Sequence, residues 1–256
     1  MIDLHCHILP ELDDGAKDWD ETLKMIEIAK NNGITDLIAT PHIYPEFYFP
    51  EMDKIKEKFE ELKSKSKDIN FYLGNDLHLT PETIKYLKEG KALTLNNGRY
   101  VLIEPPEFFS ENELENLLFS LRCEGYIPII THPERYQIFR EKIKLLQRIK
   151  EQGNLLQITS ASITGYFGET VQEFCKELFK QRLINFIASD AHSPRRRVPF
   201  LKEAYDKVED WTNSEYVLYL QECAKKVLHN EDINEFKIKE KRRNLLKELL
   251  QKIWLL

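Results

Sequence analysis

The sequence predicts an α/β fold in which seven βα units form a closed or nearly closed parallel barrel, with helices alone after it. Two observations carry this reading. Seven short apolar runs, each cut off by Pro, Gly or a polar residue, alternate with longer segments of helical period, and such alternation builds βαβ units around a parallel sheet. The seven runs end by Ser189 in a chain of 256 residues, a length typical of one barrel domain. A doubly wound open sheet is the competing architecture. No internal repeat or low-complexity linker divides the chain, so it reads as one domain over residues 1–256.

In order, the first strand is Ile2 to His5. A helix follows from about Asp18, with Trp19, Leu23 and Ile26 on one face and Gly33 as its stop. The second strand, Ile34 to Thr40, ends at Pro41. A helix carrying Met52, Ile55, Phe59 and Leu62 leads to the third strand, Ile69 to Leu73, closed by Gly74. Thr80 and Pro81 suit the N-cap and first turn of a helix that stops at Gly90. The fourth strand, Tyr100 to Glu104, is cut by Pro105 and Pro106. Ser110 and Glu113 form a capping box ahead of Leu114, Leu117, Leu118 and Leu121. The fifth strand is Ile127 to Thr131, and a helix then runs to about Glu151. The sixth is Leu155 to Thr159, followed by a helix over Glu169 to Gln181, and the seventh is Asn185 to Ser189. Beyond Pro199 the patterns are helical. The last of them, over about 236–256, carries Leu245, Leu246, Leu249, Leu250, Ile253 and Trp254 behind a basic run at 239–243. An amphipathic helix of this kind packs on its own barrel, at a subunit interface or, last in order, on a membrane surface, so a homo-oligomer stays open.

Composition removes several classes. A formal charge of −6 and a pI of about 5.8 leave no basic balance for nucleic acid. Cys6, Cys123, Cys175 and Cys223 make no C-x-x-C pair, which suits reduced thiols rather than a disulfide framework. None of them has an arginine six positions on, as a cysteine-nucleophile phosphatase requires. There is no leader-like start and no apolar run approaching the ~18 residues of a membrane span. The expected setting is cytoplasmic, without membrane insertion.

The polar residues of interest fall at strand ends. His5 and His7 close the first strand on one side of it, because side chains alternate with period two. His42 follows the second strand, Asp76 the third, and Glu104 ends the fourth. His132 follows the fifth, and Asp190 and His192 follow the seventh. In a parallel barrel these ends share one rim, where active sites of such barrels are built. Five of the seven histidines lie there. Mixed imidazole and carboxylate donors without thiolates argue for a catalytic, multinuclear metal site. Paired cations are the usual device for phosphoester hydrolysis, since they acidify water and neutralise phosphoryl charge. Arg135 and Arg197 sit just past His132 and His192, and guanidinium forks bind phosphate bidentately.

The segments IDLHCHILPELDDG, ATPH, LIEPP, THPERY and IASDAH, in that order over roughly residues 1 to 230, resemble the PHP (polymerase and histidinol phosphatase) superfamily of metal-dependent phosphoesterases. They are most similar to its protein-tyrosine phosphatases encoded with bacterial capsule and exopolysaccharide genes. HCHILP..DDG together with HPERY and SDAH gives the resemblance its specificity. It implies a distorted (β/α)7 TIM-like barrel (the PHP fold) and three divalent metal ions, manganese first, with iron or zinc as alternatives. It implies that His5, His7, Asp76 and Asp190 hold one ion. Asp76, Glu104 and His132 hold a second, with Asp76 bridging, and Asp14, His42 and His192 hold the third. Arg135 then anchors the phosphate with Arg197 as a second substrate contact, and Arg135, Asp190 and His192 carry catalysis. The chain departs from the family pattern at Asp76, where glutamate is usual, and at Ile43, where a second histidine is usual. Asp14 is chosen over Asp13 as the ligand.

The resemblance implies a phosphotyrosine protein as substrate, with an autophosphorylating bacterial tyrosine kinase as partner. A small-molecule phosphatase of the histidinol-phosphate kind is the alternative enzyme. A relic regulatory PHP subunit is the non-enzymatic one, but all nine ligand positions hold metal-competent side chains. Tyr44, Phe47, Tyr48, Phe49, Phe108, Phe109, Tyr166 and Phe167 crowd the loops behind these positions. An aromatic rim suits a phenyl ring carried on a peptide.

Overall fold

The computed structural model describes residues 1–236, so the expected terminal helix lies, from residue 237 on, outside the described residues. The strands are β1 (Ile2–Cys6), β2 (Asp36–Ala39), β3 (His42–Ile43), β4 (Asn70–Leu73), β5 (Asp76–His78), β6 (Tyr100–Glu104), β7 (Ile127–Thr131), β8 (Leu155–Thr159) and β9 (Phe186–Ala188). Between them run α1 (Trp19–Asn31), α2 (Met52–Lys65), α3 (Thr83–Lys88), α4 (Glu111–Cys123), α5 (Gln137–Glu141), α6 (Ile143–Glu151), α7 (Ser160–Thr164) and α8 (Glu169–Lys180). Two helices, α9 (Lys202–Trp211) and α10 (Ser214–Leu228), follow the last strand.

Every strand pairing is parallel. The order is β1-β2-β4 in one sheet and β3-β5-β6-β7-β8-β9 in the other. The distortion expected of the barrel has a location. The second and third expected strands end where expected, but each is followed after a short break by a further strand, β3 and β5, and at these breaks the chain steps from the first sheet into the second. Pro41, between β2 and β3, has no N–H for the ladder. Gly74, between β4 and β5, has no room for a side chain, because a Cβ there would meet Leu95 Cδ2 at 2.7 Å. Asn75 ties both breaks together. Its Nδ2 donates to the Pro41 carbonyl at 2.8 Å, and its Oδ1 accepts from the Leu93 N–H at 2.8 Å.

The first and last strands meet. The Asp190 N–H donates to the His5 carbonyl at 2.8 Å, and the His7 N–H to the Ala191 carbonyl at 2.9 Å. Buried Asp3 clamps the same seam, accepting from the N–H of Ser189 at 2.9 Å and from its hydroxyl at 2.5 Å. Inside, Leu4, Ile38, Tyr100, Leu102, Ile129 and Phe186 pack with Cys223, Ala224 and Val227 of α10, which stops the lower end. The alternate residues Val101, Ile103, Ile130 and Ile158 face the helices. Each large side chain so buried contributes roughly 1.5–3 kcal/mol.

Local signals hold with small displacements. Ser110 accepts from the Glu113 N–H at 3.2 Å, as a capping box requires, and Asp18 caps α1 through Glu21 at 2.8 Å. Pro81 and Glu82 instead remain a turn, and α3 starts at Thr83, whose hydroxyl accepts from the Thr80 N–H at 2.9 Å. The helix expected before Glu151 is two, α5 and α6, broken at Lys142.

Candidate metal centre

Period two along the strands decides what stands at the upper rim. Tyr100 and Leu102 lie in the inner cluster, so the next residue in phase, Glu104, ends β6 on that face. Phe186 and Ala188 lead in the same way to Asp190. In β1 the register shifts between Asp3 and Cys6, and a bulge there re-aims the side chains beyond it. His5 and His7 are both fully buried there. Gly15 permits the return of the chain, since a Cβ on it would lie 2.2 Å from the His7 carbonyl oxygen. His132 and Asp190 have φ of +35° and +50°. That left-handed backbone costs a non-glycine residue about 1–3 kcal/mol and marks sites where geometry is imposed.

Three imidazoles are aimed by acceptors on Nδ1. His5 Nδ1 meets Gln157 Oε1 at 3.0 Å, His7 Nδ1 meets Asp13 Oδ2 at 2.7 Å, and His192 Nδ1 meets the Asp190 carbonyl at 2.9 Å. Oxygens of these kinds accept only, so Nδ1 carries the proton and Nε2 turns a lone pair inward. The Nε2 atoms of His5 and His7 then face each other at 3.0 Å. Two lone pairs at that distance repel unless a positive charge lies between them. Nε2 of His192 is buried without a hydrogen-bond partner.

The carboxylates need the same charge. Both oxygens of Asp76 are buried and have no hydrogen-bond partner. Oδ2 lies 3.4 Å from His5 Nε2 and 3.3 Å from His42 Nδ1, so the shorter arm of aspartate still reaches between two groups of donors. Asp14 Oδ1 lies 3.4 Å from His192 Nε2 and 3.6 Å from His42 Nε2. An unpaired buried carboxylate is expensive, and in practice it takes up a proton or a cation. Burial opposes charge on His5, but Asp76 and Asp190 outweigh it and raise its pKa to about 9. Burial, with Asp76 and Asp190 beside it, pushes Glu104 up to about 8. Burial and the imidazoles of His192 and His42 hold His7 well below the ordinary histidine range. For Asp190 burial acts upward, yet Arg197 and His5 keep it well below the usual carboxylate range. His5 and Glu104 are thus drawn toward their protonated forms, and divalent cations compete with protons at such positions.

Three compact donor groups result: His7, Asp14, His42 and His192; His5, His7 and Asp190; and His42, Asp76 and Glu104, each with its ligand atoms within 4.8 Å of one another. All nine residues singled out in the sequence stand at this rim. His132 lies outside the three groups, its Nε2 3.5 Å from Glu104 Oε1. His42 faces two groups at once, one through each ring nitrogen. The donors present, imidazole and carboxylate without thiolate, fit borderline divalent ions. Arg135 and Arg197 converge on one oxygen, Asp190 Oδ2, the first at 2.9 Å. Sequence reasoning missed the supports: Asp13, which holds His7 and also accepts from the His42 N–H at 2.9 Å, and Gln157, which holds His5. It also missed buried Asp3. A polar residue inside an apolar strand, as in IDLHC and LLQIT, was the available signal.

A family model described as capsular polysaccharide synthesis, CpsB/CapC, matches residues 1–229. The tyrosine-protein phosphatase YwqE of Bacillus subtilis (strain 168) is 37% identical over 237 residues, which cover 91% of this chain and 93% of the relative. The putative tyrosine-protein phosphatase CapC of Staphylococcus aureus is 33% identical over 251 residues, covering 93% of this chain and 98% of the relative. Among solved structures, one described with YwqE from Bacillus subtilis and CpsB from Streptococcus pneumoniae as unique metal-dependent tyrosine phosphatases superposes with a TM-score of 0.88 at 35% identity. That match covers 95% of this chain and 100% of the other.

Proposed function

The chain belongs to the CpsB/CapC capsular polysaccharide synthesis family, and from that premise we propose that it is a metal-dependent phosphatase acting on phosphotyrosine in proteins. The observation that carries the reading is a rim of His and carboxylate donors lying directly beneath two arginines that share Asp190. His5, His7, Asp14, His42, Asp76, Glu104, His132, Asp190 and His192 are the residues that would hold three divalent ions, manganese by preference. Bound there, such ions supply Lewis-acid charge neutralisation for phosphoryl oxygens and a water of lowered pKa.

The chain's own residues supply the rest. Arg135 and Arg197 each have five N–H donors, of which only a part is spent on Asp190, and the remainder suit phosphoryl oxygens. Asp190 holds both guanidinium groups in place while its other oxygen faces His5 at 3.4 Å and His7 at 3.6 Å. His192 adds an inward Nε2 opposite Asp14. A tyrosine leaving group has an ordinary pKa of ~10, far below an alkyl alcohol, so it departs with little proton assistance. The partner we infer is a bacterial tyrosine kinase of polysaccharide export, met in the cytoplasm. Among the described residues no helix is long and apolar enough to cross a membrane.

Chelation should abolish hydrolysis of a chromogenic phosphate ester, and Mn²⁺ should restore it. kcat/KM at equal Mn²⁺ should favour a phosphotyrosine peptide over a phosphoserine peptide and histidinol phosphate. Full activity in protein shown by elemental analysis to be metal-free would sink the metal assignment. A tenfold preference for histidinol phosphate would overturn the substrate assignment.

A further inference from the structure

Beside the metal-ligand rim a cavity of about 880 Å³ opens outward, with Glu104, His132 and Arg135 at its inner end. Near-parallel ring pairs form its sides. Tyr44 and His78 stack with centroids 3.8 Å apart and planes 8° apart. His132 and Tyr136 lie 6.0 Å apart with planes 4° apart. Both tyrosines are anchored. The Tyr136 hydroxyl donates to the Pro105 carbonyl at 2.7 Å, and the Tyr44 N–H to the Tyr48 carbonyl at 2.6 Å. At the mouth Phe108 is 86% exposed. Of the rim aromatics singled out in the sequence, Tyr44, Phe108 and Phe109 line this cavity, whereas Phe47, Tyr48, Phe49, Tyr166 and Phe167 do not.

We propose that this cavity is the aryl subsite of the enzyme: the Tyr44–His78 pair and Tyr136 receive the phenyl ring of the phosphotyrosyl side chain and set the preference for aryl over alkyl phosphates. This rests on the reading of the rim as a phosphotyrosine phosphatase and names the residues that select its substrate. Three features support it. Arg135 belongs to both places, since it bonds Asp190 and lines the cavity, so an ester held at that guanidinium has its leaving group beside the rings. The volume lies within the range of small-ligand sites, about 300–1,000 Å³, and flat rings offer offset-stacking faces that an alkyl chain cannot use. Arg140 and Lys142, which also line the cavity, are each held by a partner within the protein. Arg140 bonds the Glu134 carbonyl at 2.7 Å and Lys142 bonds Glu111 at 2.7 Å. The aromatic faces are the part of the lining that distinguishes an aryl from an alkyl ester.

The test uses the Mn²⁺-loaded full chain and two inhibitors that differ only in the ring, phenylphosphonate and methylphosphonate. This removes leaving-group chemistry from the comparison. Tyr44→Ala and Tyr136→Leu should each raise the inhibition constant of phenylphosphonate about tenfold and leave that of methylphosphonate within twofold. KM for a phosphotyrosine peptide should rise in parallel while kcat changes little, and Tyr44→Phe should keep wild-type values. Equal weakening of both phosphonates in both variants, or none, would overturn the subsite. A wild-type chain that hydrolyses neither a phosphotyrosine peptide nor a simple aryl phosphate fails earlier. It overturns the phosphatase reading itself, and the proposal with it.

Discussion

Asp190 shows how much one side chain is asked to do. It takes a left-handed φ of +50°, receives both arginines on one oxygen, and turns the other to His5 and His7. Asparagine tolerates that backbone better than most residues, so Asp190→Asn isolates the charge. We expect turnover to fall on the order of 10²-fold or more, because charge neutralisation at the phosphoryl group would depend on the cations that this carboxylate is proposed to help hold. The cooperative thermal transition should persist; its loss with normal metal content would make Asp190 a structural residue. Arg135→Ala should lower kcat and raise KM, and Arg135→Lys should recover little, since a point charge does not replace a planar fork. Wild-type kcat/KM in the alanine variant would remove Arg135 from the site. At this scale the ligand types were legible, because His and Asp at strand ends stand out from apolar runs. Asp13 and Gln157 were not, because their roles depend on which imidazole nitrogen they reach across the fold.

At the scale of elements, strand ends were legible and strand breaks were not. Pro41 marked the end of β2, but the resumption as β3 depends on its pairing with β5, which local sequence does not encode. The turn at Pro133–Arg135 is a similar case. Glu134 within it is fully buried, although His132 before it and Arg135 after it stand at the rim. Its carboxylate accepts from the Thr159 N–H at 3.1 Å and the Ser162 hydroxyl at 2.6 Å, fixing the turn to β8 and α7. Burial pushes its pKa up to about 7 against the pull of those hydrogen bonds. A carboxyl with a folded pKa above its ordinary value binds its proton more tightly when folded. Its contribution is therefore present below the ordinary 4.5 and is lost as pH rises through about 7. The loss amounts to about 3 kcal/mol at most. Denaturant melts of wild type and Glu134→Gln at several pH values should show this slope in the wild type and a flatter one in the variant. Parallel curves would show that Glu134 keeps one protonation state throughout.

For the whole molecule, the ligand-type residues come from β1, its following loop, β3, β5, β6, the turn after β7 and the segment after β9. Cations held there would tie together strands that are otherwise joined by backbone pairing and packing. Mn²⁺ at ~100 times its dissociation constant should add about 2.7 kcal/mol per site and raise Tm by roughly 5–10 °C for each site filled. Calorimetry with and without chelator measures this, and an unchanged Tm would show that the rim holds no cation tightly. The parallel α/β architecture was legible because alternation of short apolar runs with helical segments needs no knowledge of partners. The meeting of first and last strands was not read in detail, because the Asp3–Ser189 clamp joins residues 186 positions apart. That clamp has a consequence for the order in which the protein comes into being. His5 and His7 leave the ribosome some 185 positions ahead of Asp190 and His192. At roughly 5–20 residues per second, the interval is about 10–40 s. During it the nascent chain carries half of a reaction centre and can remove no phosphate, so catalytic competence arrives late, when the seam between β1 and β9 closes.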